Sequence, residues 1–487
     1  MIRRTRRKKA CVCCDRIVQV PAASRLILHS VAGPGLLAPN LVAKFADHQR
    51  NARYTAEYKS IDIQNGDFWL QSYVMVFLNC KCLTFFRARR FLNFFKVDEI
   101  GVLRQDDYDR NQTGEKSMRS LVFLIILLFA VFAKAETSGE KIVIGQSIEL
   151  SGQATGKENM QGAQAYFAWV NSQGGVHGRQ LELKTYDDQR DPKKTRFNTG
   201  KLLRDDQAIA LFGYRSTPTV EAALPLLQEY KVAMVAPFSG AASLHSPFNP
   251  FLFHLRASYE QEAVKMVESL KILQITKVAI LYQEDNFGRD GLAGFERSLA
   301  SLNIKAIVAA KYDRKDLNVG PAVDEIAAVN PQAVLMACTP SACADFIKQM
   351  RKKNVQTQFM MLSNVNSDDF FKSLGEDGRG IGVMQVMPFP RDIGAAVVRD
   401  FQKVLKTMAN PPPASYATLE GFVAAKLITD ALRRTGPHPT RHKLLAALES
   451  MHEADLGGVS VNYSSSNHEG SHFVELVVVG KNGVIWR

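Results

Sequence analysis

Several signatures are missing from this 487-residue chain, and each absence removes a class of function. The longest apolar stretch singled out below is thirteen residues, Leu121 to Ala133, short of the ~20 that a membrane-spanning helix needs. No P-loop and no G-x-S-x-G elbow is present, so nucleotide hydrolysis and α/β-hydrolase chemistry have no motif to rest on. Cysteine is scarce after residue 117. Five of the seven (Cys11, Cys13, Cys14, Cys80, Cys82) precede it, and neither Cys-x-Cys-Cys nor Cys80-x-Cys82 has the spacing of a zinc ribbon or finger. The net charge of +13 is also uneven. Residues 1–117 hold 20 Lys+Arg against 11 Asp+Glu and so carry +9 of it. A nucleic-acid role would rest on "MIRRTRRKK" alone, with no accompanying motif, and such a run reads as a solvated tail.

What is present begins with "MRSLVFLIILLFAVFAKAETSGEK" at Met118. Arg119 supplies a positive start, the thirteen apolar residues follow, and Ala133-Lys134-Ala135 is a small-x-small cleavage pattern. The run has no polar face and is followed at once by polar residues 136–141, which argues against a buried helix. The reading is a signal peptide over 118–135 and a mature chain starting near Glu136. Residues 1–117 then form an extension upstream of the true start. No cysteine follows the cleavage pattern, so lipidation is not expected.

From Lys141 the hydrophobic period alternates between two and about 3.6. "KIVIGQSIEL" reads as a strand, and "ENMQGAQAYFAWVNSQGG" as a helix stopped by Gly174-Gly175. "QLELKTYDD" is a strand, after which Asp191-Pro192 opens a helix as cap and first-turn proline. Strands continue at "AIALFGY", "VAMVAPF", "FLFHLRA", "KVAILYQ", "IKAIVAAKY", "QAVLMAC", "QFMMLS" and "GVMQVMP". Such alternation implies an α/β fold with parallel sheets covered by helices on both faces. Some 350 residues exceed one such sheet, so two lobes are expected, with a first crossover at "FHLRASYEQ" and a new helix near Ser258. Cys338 and Cys343 are compatible with a disulfide or with two separate buried thiols.

One formal metalloprotease match, His468-Glu469-Gly470-Ser471-His472, is rejected. H-E-x-x-H works only on a helix, where both imidazoles reach one zinc, and this stretch follows "NYSSSN" and runs into the β-rich "FVELVVVG". "GRGIG" at 378–382 lacks dinucleotide-binding spacing and precedes a strand. The most informative segment is "LFGYRSTPTVEAALPLL". There a strand ends at Tyr214, Thr217 caps the next helix and Pro218 takes its first position. The amides of Thr219 and Val220, with the hydroxyls of Ser216 and Thr217, make an anion site at a helix N-terminus. A strand later, Ser239 and Gly240 lie at another strand end. Either is an ordinary cap alone; the two together favour a carboxylate site.

The segments "GGVHGRQLEL", "YDDQRDP", "FGYRSTPT", "VAPFSGA", "LYQEDNFGRDG" and "SYATLEGF", in this order, resemble the type I periplasmic solute-binding proteins of ABC importers, in the leucine/isoleucine/valine-binding group. The resemblance implies two Rossmann-like lobes joined by a three-strand hinge, with residues 141–257 and 389–452 in the first and 258–388 and 453–487 in the second. It implies a small-molecule ligand (an amino acid or related carboxylate), an inner-membrane permease as partner, a periplasmic location, no cofactor and no catalysis. A sensor domain of the same fold is the alternative. By the family pattern Thr217 meets the ligand carboxylate, flanked by Tyr214, Arg215 and Ser216, and Phe238, Ser239 and Gly240 add backbone and hydroxyl contacts. Phe287 is the second-lobe aromatic. The family's acid for a ligand ammonium falls near Ser363, which has no charge. Glu284 and Asp285 read as solvated loop residues. An acid lacking an ammonium group is therefore a serious candidate ligand.

Overall fold

A computed structural model describes residues 75–78, 81–85, 139–152 and 154–486. The leader segment at 118–135 and Cys11, Cys13 and Cys14 lie outside the described residues. In the first 117 residues the described part is an antiparallel pair, β1 (Met75–Leu78) and β2 (Lys81–Phe85).

The first lobe is built on five parallel strands, β3 (Gly139–Ile148), β4 (Arg179–Asp187), β5 (Ala210–Phe212), β6 (Met234–Val235) and β7 (Leu252–Phe253), in the spatial order β4-β3-β5-β6-β7. The second lobe repeats the plan. Strands β8 (Val278–Gln283), β9 (Val308–Tyr312), β10 (Ala333–Ala337), β11 (Gln358–Met361) and β12 (Gly382–Gln385) run parallel in the order β9-β8-β10-β11-β12. A small hairpin, β13 (Ala454–Asp455) with β14 (Ser460–Val461), precedes β15 (Glu475–Val479) and β16 (Ile485–Trp486), which extend the second sheet antiparallel. The helices are α1 (Ala154–Ser172), α2 (Pro192–Arg204), α3 (Thr217–Tyr230), α4 (Ala242–His245), α5 (Tyr259–Ile272), α6 (Asn286–Ala300), α7 (Gly320–Ala328), α8 (Pro340–Lys352), α9 (Asp368–Leu374), α10 (Ala396–Thr407), α11 (Tyr416–Arg434) and α12 (Arg441–Glu449). The chain passes between the lobes three times: from β7 to α5, from β12 to α10, and from β14 to β15.

Local chemistry explains the boundaries. Asp191 caps α2, its carboxylate accepting from the Lys193 amide at 2.8 Å, with Pro192 in first place. Ser258 opens α5 with a reciprocal capping box to Gln261. β10 is buried on both faces along "AVLMA", the continuous apolar run of a central parallel strand. β6 is shorter than its apolar run: "VAMVAPF" is strand only at Met234 and Val235, although the residues on either side are buried as well.

α11 returns to the first lobe and lies against α1 at a glycine contact. A Cβ on Gly162 would stand 1.9 Å from the Thr418 carbonyl oxygen, and one on Gly421 would stand 1.9 Å from that of Asn159. The two backbones touch there, and Tyr166 packs edge-on to Phe422 at 4.9 Å. Cys338 and Cys343 form a disulfide, Cα atoms 5.5 Å apart, between the end of β10 and the first turn of α8. Among the described residues no helix is long and apolar enough to cross a membrane.

Candidate functional site

In both sheets the strand order reverses direction once, between β3 and β5 in the first lobe and between β8 and β10 in the second. Ligands of open α/β sheets sit outside the carboxyl ends of the strands at such a switch point. Glu149 follows β3 directly, and Arg215, Ser216 and Thr217 follow β5. Facing them, Asp285 follows β8, and Asn364 lies just beyond β11.

Charged side chains join these ends. Arg215 pairs with Glu149 inside the first lobe and reaches the Asn364 carbonyl oxygen of the second at 2.9 Å. It is 6% exposed, so its charge is buried where the lobes meet. Arg314, just past β9, bonds Asp285 Oδ2 at 2.7 Å, the Arg190 carbonyl oxygen at 2.6 Å and Ser216 Oγ at 3.4 Å, the last two across the lobes. Arg190 has a left-handed backbone, φ 59°, and its Nε is buried with no hydrogen-bond partner. Burial lowers the Arg190 pKa; Glu149 opposes this, while Arg314 and Arg215 add to it, so the three guanidinium groups share one space. Asp188, beside Ser147 and Thr195, is pushed up to about 6, mainly by burial. Glu149 Oε2 is also buried without a partner.

Two hydroxyls singled out in the sequence lie together. Thr217 Oγ1 and Ser239 Oγ are 2.9 Å apart, both fully buried. The helix start is shifted from the expected one. Ser216, not Thr217, is the N-cap of α3, with φ 83° and no side-chain cap bond, and Thr217 is the first helical residue. The Val220 amide already donates to the Ser216 carbonyl at 3.1 Å, which leaves the amides of Thr217 and Thr219 as the open donors.

The remaining predicted residues divide. Tyr214 turns its ring into the first-lobe core, its hydroxyl 3.0 Å from Thr199 Oγ1, and burial raises its pKa. Phe238 stacks edge-on to Phe212 at 6.4 Å, and its amide donates to the Tyr214 carbonyl at 2.8 Å. Gly240 accepts from the Tyr259 amide at 2.7 Å; a Cβ there would come within 2.8 Å of the Ala257 carbonyl oxygen, so the position holds the first crossing close. Phe287 packs on Tyr259, ring centroids 5.5 Å apart.

Two expectations are corrected. Asp285 is not a solvated loop residue: it caps α6 through the Gly288 amide at 3.1 Å and pairs with Arg314. Glu284, by contrast, pairs with exposed Lys311. At Ser363 a carboxylate is in fact present, supplied by α5. Glu262 accepts from the Ser363 amide at 2.7 Å and from its hydroxyl at 2.8 Å, and burial pushes Glu262 up to about 7. Arg256 stands 3.6 Å from both Glu262 and Glu420, closing a buried ionic group where the chain crosses between lobes.

The site residues that sequence reasoning missed, Glu149, Arg190, Arg314 and Glu262, are ordinary charged residues at the ends of helices and strands. Their signal was a charge directly after an apolar strand, as in "SIEL" and "AAKYDR", but only strand order places them at a switch point.

The family model described as periplasmic binding protein matches residues 141–483. The chain belongs to that family, in its type I, leucine/isoleucine/valine-binding group. A substrate-binding periplasmic protein from Ralstonia solanacearum is 35% identical with a TM-score of 0.68, over 71% of this chain and 99% of that one. A possible leucine/isoleucine/valine-binding protein from Rhodopirellula baltica is 27% identical with a TM-score of 0.67, over 71% and 95%. An amino acid binding protein from Pseudomonas aeruginosa is 24% identical over 275 residues, 55% of this chain and 73% of its own. Members of the family are solute-binding proteins, so this binding protein captures a substrate and is not an enzyme. In keeping with that, residues 468–472 lie in an extended segment of the third crossing, not on a helix.

Proposed function

We propose that this binding protein captures an α-amino acid between its lobes in the periplasm and delivers it to an inner-membrane ABC permease. The observation that carries the ligand class is a matched pair of buried, unpartnered groups in one cleft, the Arg190 Nε donor and the Glu149 Oε2 acceptor. A buried donor or acceptor left unmade costs ~1–3 kcal/mol, more when charged. An α-amino acid supplies both missing partners: its carboxylate for Arg190, the Thr217–Ser239 hydroxyls and the open amides of α3, and its ammonium for Glu149. The name of the Pseudomonas aeruginosa relative supports the same class.

A second reading is a carboxylate without an ammonium, favoured because Arg190, Arg215 and Arg314 outnumber Glu149 and Asp285 in the cleft. Calorimetry with leucine and its des-amino acid separates the two. Binding of leucine, lost in Glu149→Gln, supports the first, and equal or tighter binding of the des-amino acid supports the second. Export follows from the leader at Met118 and is tested by intact-mass analysis of periplasmic protein, expected to begin near Glu136.

A further inference from the structure

Away from the cleft, three histidines and a glutamate surround a cavity of about 170 Å³. His245 ends α4, His254 follows β7 in the first crossing, and His468 and Glu469 lie in the third. The two crossings run side by side. The His254 amide donates to the His468 carbonyl at 3.0 Å, and the Ser471 amide donates to that of Leu255 at 2.8 Å.

The ring nitrogens can be assigned from their partners, because a carbonyl only accepts. His254 Nε2 lies 3.2 Å from the Leu244 carbonyl and must carry its proton, which leaves Nδ1 a bare lone pair. His468 Nδ1 lies 3.1 Å from the Leu252 carbonyl, which leaves its Nε2 bare. His254 Nδ1, His468 Nε2 and His245 Nε2 are all buried without hydrogen-bond partners. His245 Nδ1 is 2.7 and 2.8 Å from the two Glu469 oxygens. A backbone carbonyl on the far ring nitrogen is the usual way a metal-binding imidazole is oriented.

We propose that His245, His254 and Glu469 bind a divalent transition-metal ion of the zinc type, tying the first and third crossings together on the first-lobe side of the hinge. One donor atom from each of the three lies within 4.8 Å of the others. Two ligands on one zinc stand no further apart than ~4.2 Å, twice the Zn–N bond, and the His245 and His254 rings stack with centroids 3.7 Å apart, so binding draws the donors inward and turns one ring out of the stack. Two nitrogens and a carboxylate oxygen are a set zinc accepts. His468 lines the same cavity, its Nε2 3.9 Å from Glu449 Oε1. The H-E-x-x-H pattern is not the site: His472 bonds Gln261 at 2.6 Å instead.

The test uses the purified protein after dialysis against EDTA, titrated with zinc chloride by calorimetry. One ion per chain is expected, with Kd at or below the micromolar range and a rise in Tm that EDTA reverses. His245→Gln and Glu469→Gln, at partly exposed positions that leave the buried core intact, are expected to weaken binding at least about tenfold, and His472→Gln to leave it unchanged. Absence of stoichiometric binding, the outcome for a cavity that holds only water, overturns the proposal. So does zinc affinity that is the same in His245→Gln, Glu469→Gln and the parent, which would place the ion on other histidines.

Discussion

Arg215 reaches the Asn364 carbonyl oxygen in the opposite lobe at 2.9 Å while its other terminal nitrogen pairs with Glu149 in its own. One planar guanidinium thus connects the switch-point end of β3 with the second lobe, a geometry that the fork of arginine permits and a lysine ammonium does not. The lobes meet at the same place through Arg314, so two arginines tie the walls of the cleft.

Arg215→Met tests the buried pair. It removes the guanidinium partner of Glu149 Oε1 and leaves that carboxylate buried and unpaired, a loss of ~3–5 kcal/mol in urea unfolding. The double variant Glu149→Gln/Arg215→Met is expected to recover much of it. A single variant within ~1 kcal/mol of the parent would show that water reaches Glu149 and that the pair contributes little.

Gly162→Ala and Gly421→Ala test the contact between α1 and α11. Each adds a methyl group where a carbonyl oxygen stands 1.9 Å from the ideal Cβ position. Alanine favours the helix by ~1 kcal/mol over glycine, so on propensity alone both changes would stabilise. The backbone clash dominates, and each is expected to destabilise by ~1–3 kcal/mol or more. A rise in Tm for either would mean that the helices separate without cost.

The α/β alternation was legible because each element carries its own signal. The Asp191-Pro192 start and the Ser258 crossover follow from side-chain chemistry within a few residues of themselves. The cleft was legible only in part. Thr217 and Ser239 were found because each sits at a strand-to-helix turn, and they do meet. Glu149, Arg190 and Arg314 come together from segments 41 to 165 residues apart in the chain, and nothing local marks a charged residue at a strand end as facing its counterpart. The cap assignment failed for a related reason. Ser216 takes φ 83°, a conformation rare for a non-glycine residue, held there by its surroundings and not by its own preference. Ser363 misled because the charge beside it belongs to Glu262, about a hundred residues earlier in sequence.

Thr217→Ala and Ser239→Ala test the hydroxyl pair. Each hydroxyl has the other as a partner at 2.9 Å, and Ser239 is also held by Tyr259 and the Ala241 amide, so Thr217 is the one placed to donate to a ligand oxygen. Either substitution is expected to weaken ligand binding by ~1–3 kcal/mol in calorimetry, the range for a charged oxygen deprived of a donor. Unchanged affinity in both would make the pair a structural bond between α3 and the turn after β6.

The pH dependence of stability follows from Glu158 and Glu262. Burial pushes both carboxyls up to about 7 from the ordinary 4.5. Glu158 accepts from Ser415 Oγ and the Asp368 amide, which oppose the shift, while the charges of Asp369 and Asp368 add to it. A raised carboxyl pKa means that the folded protein binds more protons than the unfolded chain between about 4.5 and 7. Stability therefore falls as pH rises through that window and levels off above it. Each group accounts for at most ~3 kcal/mol of the fall. Asp187 and Asp455 have lowered values and act in the opposite sense, losing their contribution as pH drops below the ordinary carboxylate range. Burial holds His254 and His468 below the ordinary histidine value, so they too act in the opposite sense below about pH 6.5, and the carboxyl's share is isolated by difference. In urea unfolding at pH 5, 6, 7 and 8, the stability of the parent relative to Glu158→Gln, which keeps an acceptor for Ser415 and Asp368, is expected to fall between pH 5 and 7 and level off above. A difference that does not change with pH would mean that water or a rearranged partner stabilises the ionised carboxylate.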